Sequence, residues 1–115
     1  MRTRELKQGR EVEFDEVTLD QAEDLRAEGA AVVDVRRPDE RQVKHIPGSL
    51  HIPMDELEGR MHDIPEGRVL VVCATGVRSA IAAAMIEQAS GRTDVSSIAG
   101  GTEGWDAAGK PTNRG

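Results

Sequence analysis

At 115 residues, with 31% charged and 37% apolar side chains, the chain has the size of one soluble globular domain and is too short for two. A single cysteine excludes an intramolecular disulfide and makes a reducing compartment, the cytoplasm, the expected location. The net charge of −6 is uneven: the first ten residues carry four cations against one carboxylate, a net +3, which leaves −9 on residues 11–115 and argues against a nucleic-acid partner.

In chain order, residues 1–10 read as a flexible basic leader. They lack the apolar stretch of a signal peptide, and no run in the chain reaches membrane-spanning length, so no membrane partner is expected. Val12 and Phe14 alternate with acidic residues, as in a short edge strand. Thr18 and Gln21 form a capping-box pattern that opens a helix through about Glu28, with Leu19, Ala22 and Leu25 as its apolar stripe. Ala30–Val35 is an apolar run broken only by Asp34, as in a central strand covered on both faces. Pro38 starts a short helix through about Val43; His45–Gly48 turns, and Ser49–Ile52 is a brief strand. Met54 to about His62 is expected to be helical, with Met54, Leu57 and Met61 on one face.

Arg68–Val72 is the second strongly apolar strand. A helix is expected from Ser79 to about Ser90, with Ala82, Met85, Ile86 and Ala89 on one face, and Gly91 ends it. Val95–Ile98 reads as a last core strand, Gly100–Gly101 as a turn, Thr102–Ala108 as a short helix and 109–115 as a tail. Strands alternating with helices in one small domain predict an α/β fold with a central, mostly parallel sheet. Sites in such sheets gather at the carboxyl ends of the strands, where Cys73 falls.

Cys73 ends a strand, and a helix follows within six residues. Backbone N–H groups at such a turn point inward, and the helix dipole adds partial positive charge. That setting suits a thiolate, the nucleophilic form of cysteine. Gly76 permits the tight turn, the amides of Ala74, Thr75, Gly76, Val77 and Arg78 can form an anion nest, and Arg78 supplies a permanent cation. The competing reading is a buried strand-end cysteine that serves as a small hydrophobe. Asp34 and Arg36 end a central strand beside this loop and are expected as a buried hydrogen-bonded pair or loop brace. His45, beside a Pro-Gly turn, reads as scaffold. His45, His51 and His62 lack metal-ligand spacing, so no metal is expected.

Four segments in order resemble the single-domain rhodaneses, a sulfurtransferase family: Asp34-Val35-Arg36 with Glu40, His45–Ser49 followed by Ile52-Pro53, Cys73–Ser79, and Gly100-Gly101 followed by Gly104-Trp105. The resemblance covers roughly residues 12–108 and implies a rhodanese-like domain over 11–108, with a three-layer fold and helices on both faces of the sheet. It further implies that Cys73 takes sulfane sulfur from thiosulfate or a persulfide donor and passes it to a thiol or to cyanide. The loop amides would hold the anion, and Arg78 would supply charge or brace the loop. No cofactor is implied; the expected partners are a small sulfur donor and a thiol acceptor, with a sulfur-accepting protein as a further one. Monomer is the default.

Two positions depart from the family pattern. Lys44 stands where glycine is common before the histidine, which puts the turn there in question. Ala74 and Thr75 replace the basic residues of many thiosulfate users, which points to a neutral or less charged persulfide as donor. Two other readings stay open. One is a non-enzymatic sulfur carrier or interaction module. The other is a cysteine phosphatase or arsenate reductase, whose Cys-to-Arg spacing characteristically includes five residues, against four here.

Overall fold

The computed structural model describes residues 1–114. Its elements, in chain order, are β1 (Arg2–Lys7), β2 (Arg10–Val17), α1 (Leu19–Ala27), β3 (Ala31–Asp34), α2 (Pro38–Val43), β4 (Leu50–His51), β5 (Val69–Val72), α3 (Val77–Ser90), β6 (Val95–Ile98) and α4 (Gly101–Ala107). Apolar runs that are buried on both faces form the middle of the sheet. All four residues of β5 and of β6 are buried, as are three of four in β3. The strand order is β1-β2-β6-β5-β3-β4, with every pair parallel except β1–β2. This is the α/β, mostly parallel sheet that the alternation of elements predicts.

Alternate side chains of β5 feed two cores. Val69, Val71 and Cys73 lie with Phe14, Ile81 and Ile86 on the α3 face. Leu70 and Val72 lie with Ala22, Ile98 and Trp105 on the α1–α4 face. The capping box at Thr18 starts α1: Gln21 N–H donates to Thr18 Oγ1 (3.1 Å), and Thr18 N–H donates to Gln21 Oε1 (2.9 Å).

The amino terminus departs from expectation. Arg2–Lys7 is a strand and not a flexible leader, paired antiparallel to β2 from Arg2–Asp15 to Lys7–Arg10. Gln8 and Gly9 turn the hairpin with φ of 51° and 79°, the left-handed pair that matches strand twist. The pairing leaves β2 inside the sheet, so Val12 and Phe14 do not lie on an edge strand. No apolar alternation marks β1, because backbone pairing and charge hold it in place. Arg4 donates to Glu13 (2.7 Å), and Arg2 reaches both Glu13 and Glu87 of α3 (3.1 and 2.8 Å). The basic segment thus folds back onto the acidic body.

Three smaller departures share a physical logic. Met54–Asp63 forms two 3-10 turns, Met54–Glu56 and Glu58–Asp63, in place of one helix. Spacing of three suits a 3-10 repeat, and it carries Leu57 into full burial. On α3, which starts at Val77, burial covers Ser79 to Ala84 and Ile86, while Ala89 is exposed. The helix packs across the sheet from β5 to the β1–β2 hairpin, so a broad face of it is covered. Lastly, the expected tail is docked over its described part: Trp105 Nε1 donates to Pro111 O, and His45 and Asn113 pair through their backbones.

Phe14 of β2 is fully buried and the Arg2 ion pairs of β1 are exposed, so Phe14→Ala should cost about 3–5 kcal/mol in urea unfolding, and Arg2→Ala under about 1 kcal/mol.

Candidate active site

The chain leaves β5 at Cys73 and re-enters regular structure at Val77, so four residues and the start of α3 form a closed loop. Parallel pairing fixes its base: Val35 N–H donates to Val72 O (3.0 Å). The first turn of α4 clamps the near side, where Thr102 N–H donates to Cys73 O (2.8 Å) and Glu103 N–H to Ala74 O (3.0 Å). The approach at Gly101 is too close for a side chain. A Cβ there would stand 2.5 Å from Cys73 O and closer still to Ala74 O, on a backbone with φ of +61°. This gives the Gly-Gly pair a mechanical role that motif spacing alone does not reveal.

Cys73 is 1% exposed, its sulfur tucked beneath the loop. Gly76, at φ +107°, directs its N–H onto Cys73 Sγ at 3.0 Å. Of the five amides expected to ring the sulfur, this is the one that bonds it. Those of Ala74, Thr75, Val77 and Arg78 meet no acceptor among the described residues. On its inner side, Sγ lies 3.4 Å from Ser79 Oγ, which is 2.8 Å from Ser97 Oγ on β6. The sulfur is buried yet bounded by polar groups, so it is more than a hydrophobic plug.

Arg78 does not reach the sulfur by a hydrogen bond. Its guanidinium makes a two-pronged pair with Glu40 of α2, at 2.7 and 2.8 Å. Hydrogen bonding from Arg78 is the main cause that holds the Glu40 carboxyl at about 2 against the ordinary 4.5; partial burial opposes it, and the Arg37 N–H adds to it. Arg78 is raised in turn, first by its hydrogen bond to Glu40; burial opposes this and the Glu40 charge adds to it. The arginine braces the loop against α2 and contributes field, not contact.

A second ionic cluster supports α2. Asp34, fully buried, accepts from Arg36 Nε (3.0 Å), Arg36 Nη2 (2.9 Å) and Arg41 Nη1 (3.2 Å). Arg36 also donates to Lys44 O (2.7 Å), and Arg41 to Ser49 O (2.8 Å) and Oγ (2.9 Å). Asp34 and Arg36 therefore anchor the segment that carries Glu40. Removing one partner would leave a buried charge uncompensated. Lys44 has an extended backbone (φ −166°), which any residue adopts, and its ammonium pairs with Glu103 (2.6 Å) and Asp106 (2.9 Å) of α4. The missing glycine thus costs the turn nothing. His45 Nδ1 lies 3.3 Å from Arg41 O, and His51 Nε2 donates to Arg36 O (2.8 Å); both tie scaffold together.

Glu40 was legible in the motif, but its partner was not. Ser79 fell at the end of the matched Cys73–Ser79 segment without a role, and Arg41 and Ser97 carried no signal as site residues, since Ser97 comes from a strand 24 residues beyond Cys73. Beside the loop opens a groove of about 460 Å³, with Val35, Pro38, Pro53 and Met54 as its apolar lining and Arg37 and Arg78 among its polar groups.

Two substitutions test this bracing. The carboxyl of Glu40 is held below its ordinary value in the folded state, so its stabilising contribution is complete above about pH 4.5 and is lost as pH falls through about 2. The stability gap between wild type and Glu40→Gln, followed by urea unfolding, should therefore be constant near neutrality and narrow below about pH 4.5. Gly101→Ala should destabilise by about 1–3 kcal/mol in the same assay, because loop or helix must move.

Comparison with known proteins meets this geometry from outside. The family model described as "Rhodanese-like domain" matches residues 18–108. The thiosulfate sulfurtransferase GlpE of Pseudomonas aeruginosa is 41% identical over 96 residues, 80% of this chain and 84% of that protein. A putative sulfur carrier protein, YrkF of Bacillus subtilis, is 33% identical over 79 residues, 68% of this chain but 42% of that protein. A crystal structure of a rhodanese-related protein from Thermoplasma volcanium superposes with a TM-score of 0.79 at 26% identity, covering 87% of this chain and 98% of that one. With a six-stranded sheet that turns its one cysteine into a helix start, and a family match over most of its length, the chain belongs to the rhodanese-like family.

Proposed function

We propose that the protein is a sulfurtransferase that works through a persulfide on Cys73. The observation that carries this reading is the placement of Sγ: at the carboxyl end of a central strand, accepting the Gly76 N–H, inside a loop whose remaining amides have no partner among the described residues. The Cys73 thiolate attacks the outer sulfur of the donor. For thiosulfate the S–S bond breaks, sulfite leaves with the electron pair, and Cys73 holds a sulfur that carries the negative charge. An acceptor thiolate then attacks that outer sulfur, a new persulfide departs, and the electron pair of the broken bond returns to Cys73. With cyanide the product is thiocyanate. The amides of Ala74, Thr75, Val77 and Arg78 are the donors available to the outer sulfur, fixed in place before the charge arrives.

The donor's charge follows from the loop. Ala74 and Thr75 bring no cation, and Arg78 is already balanced by Glu40. A dianion such as thiosulfate gains little net attraction there, whereas a persulfide with an apolar body has the Val35–Met54 groove to occupy. A sulfur-carrier role remains compatible with a lone cysteine that needs an outside acceptor, and the YrkF likeness favours it as the second reading. The phosphatase reading is weaker: its arginine must clamp an oxyanion over the thiolate, and here that arginine is committed to Glu40.

Thiosulfate or an alkyl persulfide should add one sulfur, about 32 Da, to the peptide that holds Cys73, and Cys73→Ser should remove both the adduct and turnover while circular dichroism stays unchanged. Turnover retained in Cys73→Ser, or steady hydrolysis of an aryl phosphate that depends on Cys73, would overturn the reading. Catalytic turnover on small donors separates an enzyme from a carrier, which would load from a protein persulfide alone.

A further inference from the structure

The two serines behind Cys73 form a short row with an unusual property. Ser79 and Ser97 are fully buried, Ser79 Oγ is 3.4 Å from Sγ, and Ser97 Oγ meets only Ser79 Oγ (2.8 Å) among the described residues. Each hydroxyl carries one proton, so the donors can be counted for both states of the sulfur. With a neutral thiol the row holds three protons, and whichever way it runs one of them, that of Ser97 or that of the thiol itself, is left without an acceptor in the row. With a thiolate the row runs one way: Ser97 donates to Ser79, Ser79 donates to the sulfur, and every proton is used. A buried donor without an acceptor is costly, so the row is complete only around an anion.

From this count we infer that Ser79 is a catalytic residue of Cys73 and Ser97 its positioning residue, the pair favouring charge on Sγ. Resting on the sulfurtransferase reading, the effect falls at two steps. It readies the sulfur for attack on the donor. At discharge, when the acceptor takes the outer sulfur and the electron pair of the broken S–S bond returns to Sγ, Ser79 O–H donates to the departing thiolate. The charged groups around the site are Arg78 on α3 with Glu40 on α2 and Arg37 beside it, Asp34 at the end of β3 with Arg36 and Arg41, and Lys44 with Glu103 and Asp106 on α4. None of them hydrogen-bonds to either serine, so substitution of the serines leaves that field in place.

Alkylation of Cys73 by iodoacetamide, followed across pH, reads the inference without any sulfur donor. Ser79→Ala should slow alkylation at pH 7 about tenfold and displace the rate profile about one unit toward alkaline pH, while Ser79→Thr, which keeps a hydroxyl, should stay near wild type. Ser97→Ala should give a smaller displacement alone and none in the Ser79→Ala background, since Ser97 acts only through Ser79. Should Ser79→Ala not fold, Ser97→Ala, on β6 and away from the helix, carries the test by its own alkaline displacement of the profile. A hydroxyl-free variant whose profile superimposes on wild type, or a Ser97→Ala effect of equal size in both backgrounds, overturns the inference. Displaced profiles in a protein whose Cys73 takes up no sulfur would instead sustain this inference and remove the transfer reading.

Discussion

The loop at the end of β5 is held by the two-pronged ion pair between Glu40 and Arg78, and much else in the structure exists to keep that pair in register. Arg78 is the second residue of α3, so the pair sets where that helix begins and hence where Gly76 aims its N–H. Glu40 sits on a six-residue helix that buries none of its residues. Such a helix has little packing to hold it, and the buried Asp34–Arg36–Arg41 cluster does that work from below. On the opposite side, α4 approaches the loop backbone through a glycine that leaves no room for a methyl group.

These braces explain how a buried sulfur can sit in a polar setting without a neighbouring cation in contact. Two carboxylates, Asp34 and Glu40, are paired with three arginines, Arg36, Arg41 and Arg78, beside the loop. Arg78, expected to supply charge or brace the loop, is bound to Glu40 and not to the sulfur. Hydrogen bonds close to the sulfur come from one backbone amide and one serine.

Legibility in the sequence followed the kind of force involved. The central strands announced themselves because burial on both faces demands continuous apolar runs, and α1 because its capping box is local. The β1 strand was silent, since its ladder depends on backbone pairing and on Glu13 and Glu87, residues that a local pattern cannot connect to Arg2 and Arg4. Met54–Asp63 showed its buried positions but not its helix type, because a spacing of three fits both helical repeats.

What the sequence determined by itself was the order of strands and helices from β2 onward, the site of the strand-to-helix turn, and the family that the chain belongs to. Those properties follow from hydrophobic periodicity and from short motifs in which the interacting residues are close in the chain. Tertiary structure decided which groups meet: Glu40 with Arg78, Lys44 with Glu103, and Ser97 with the Ser79 that touches Cys73. Each of those contacts joins separate elements across the sheet or over its carboxyl edge. A donor finds its acceptor there only after packing has set distance and direction, and linear spacing encodes neither.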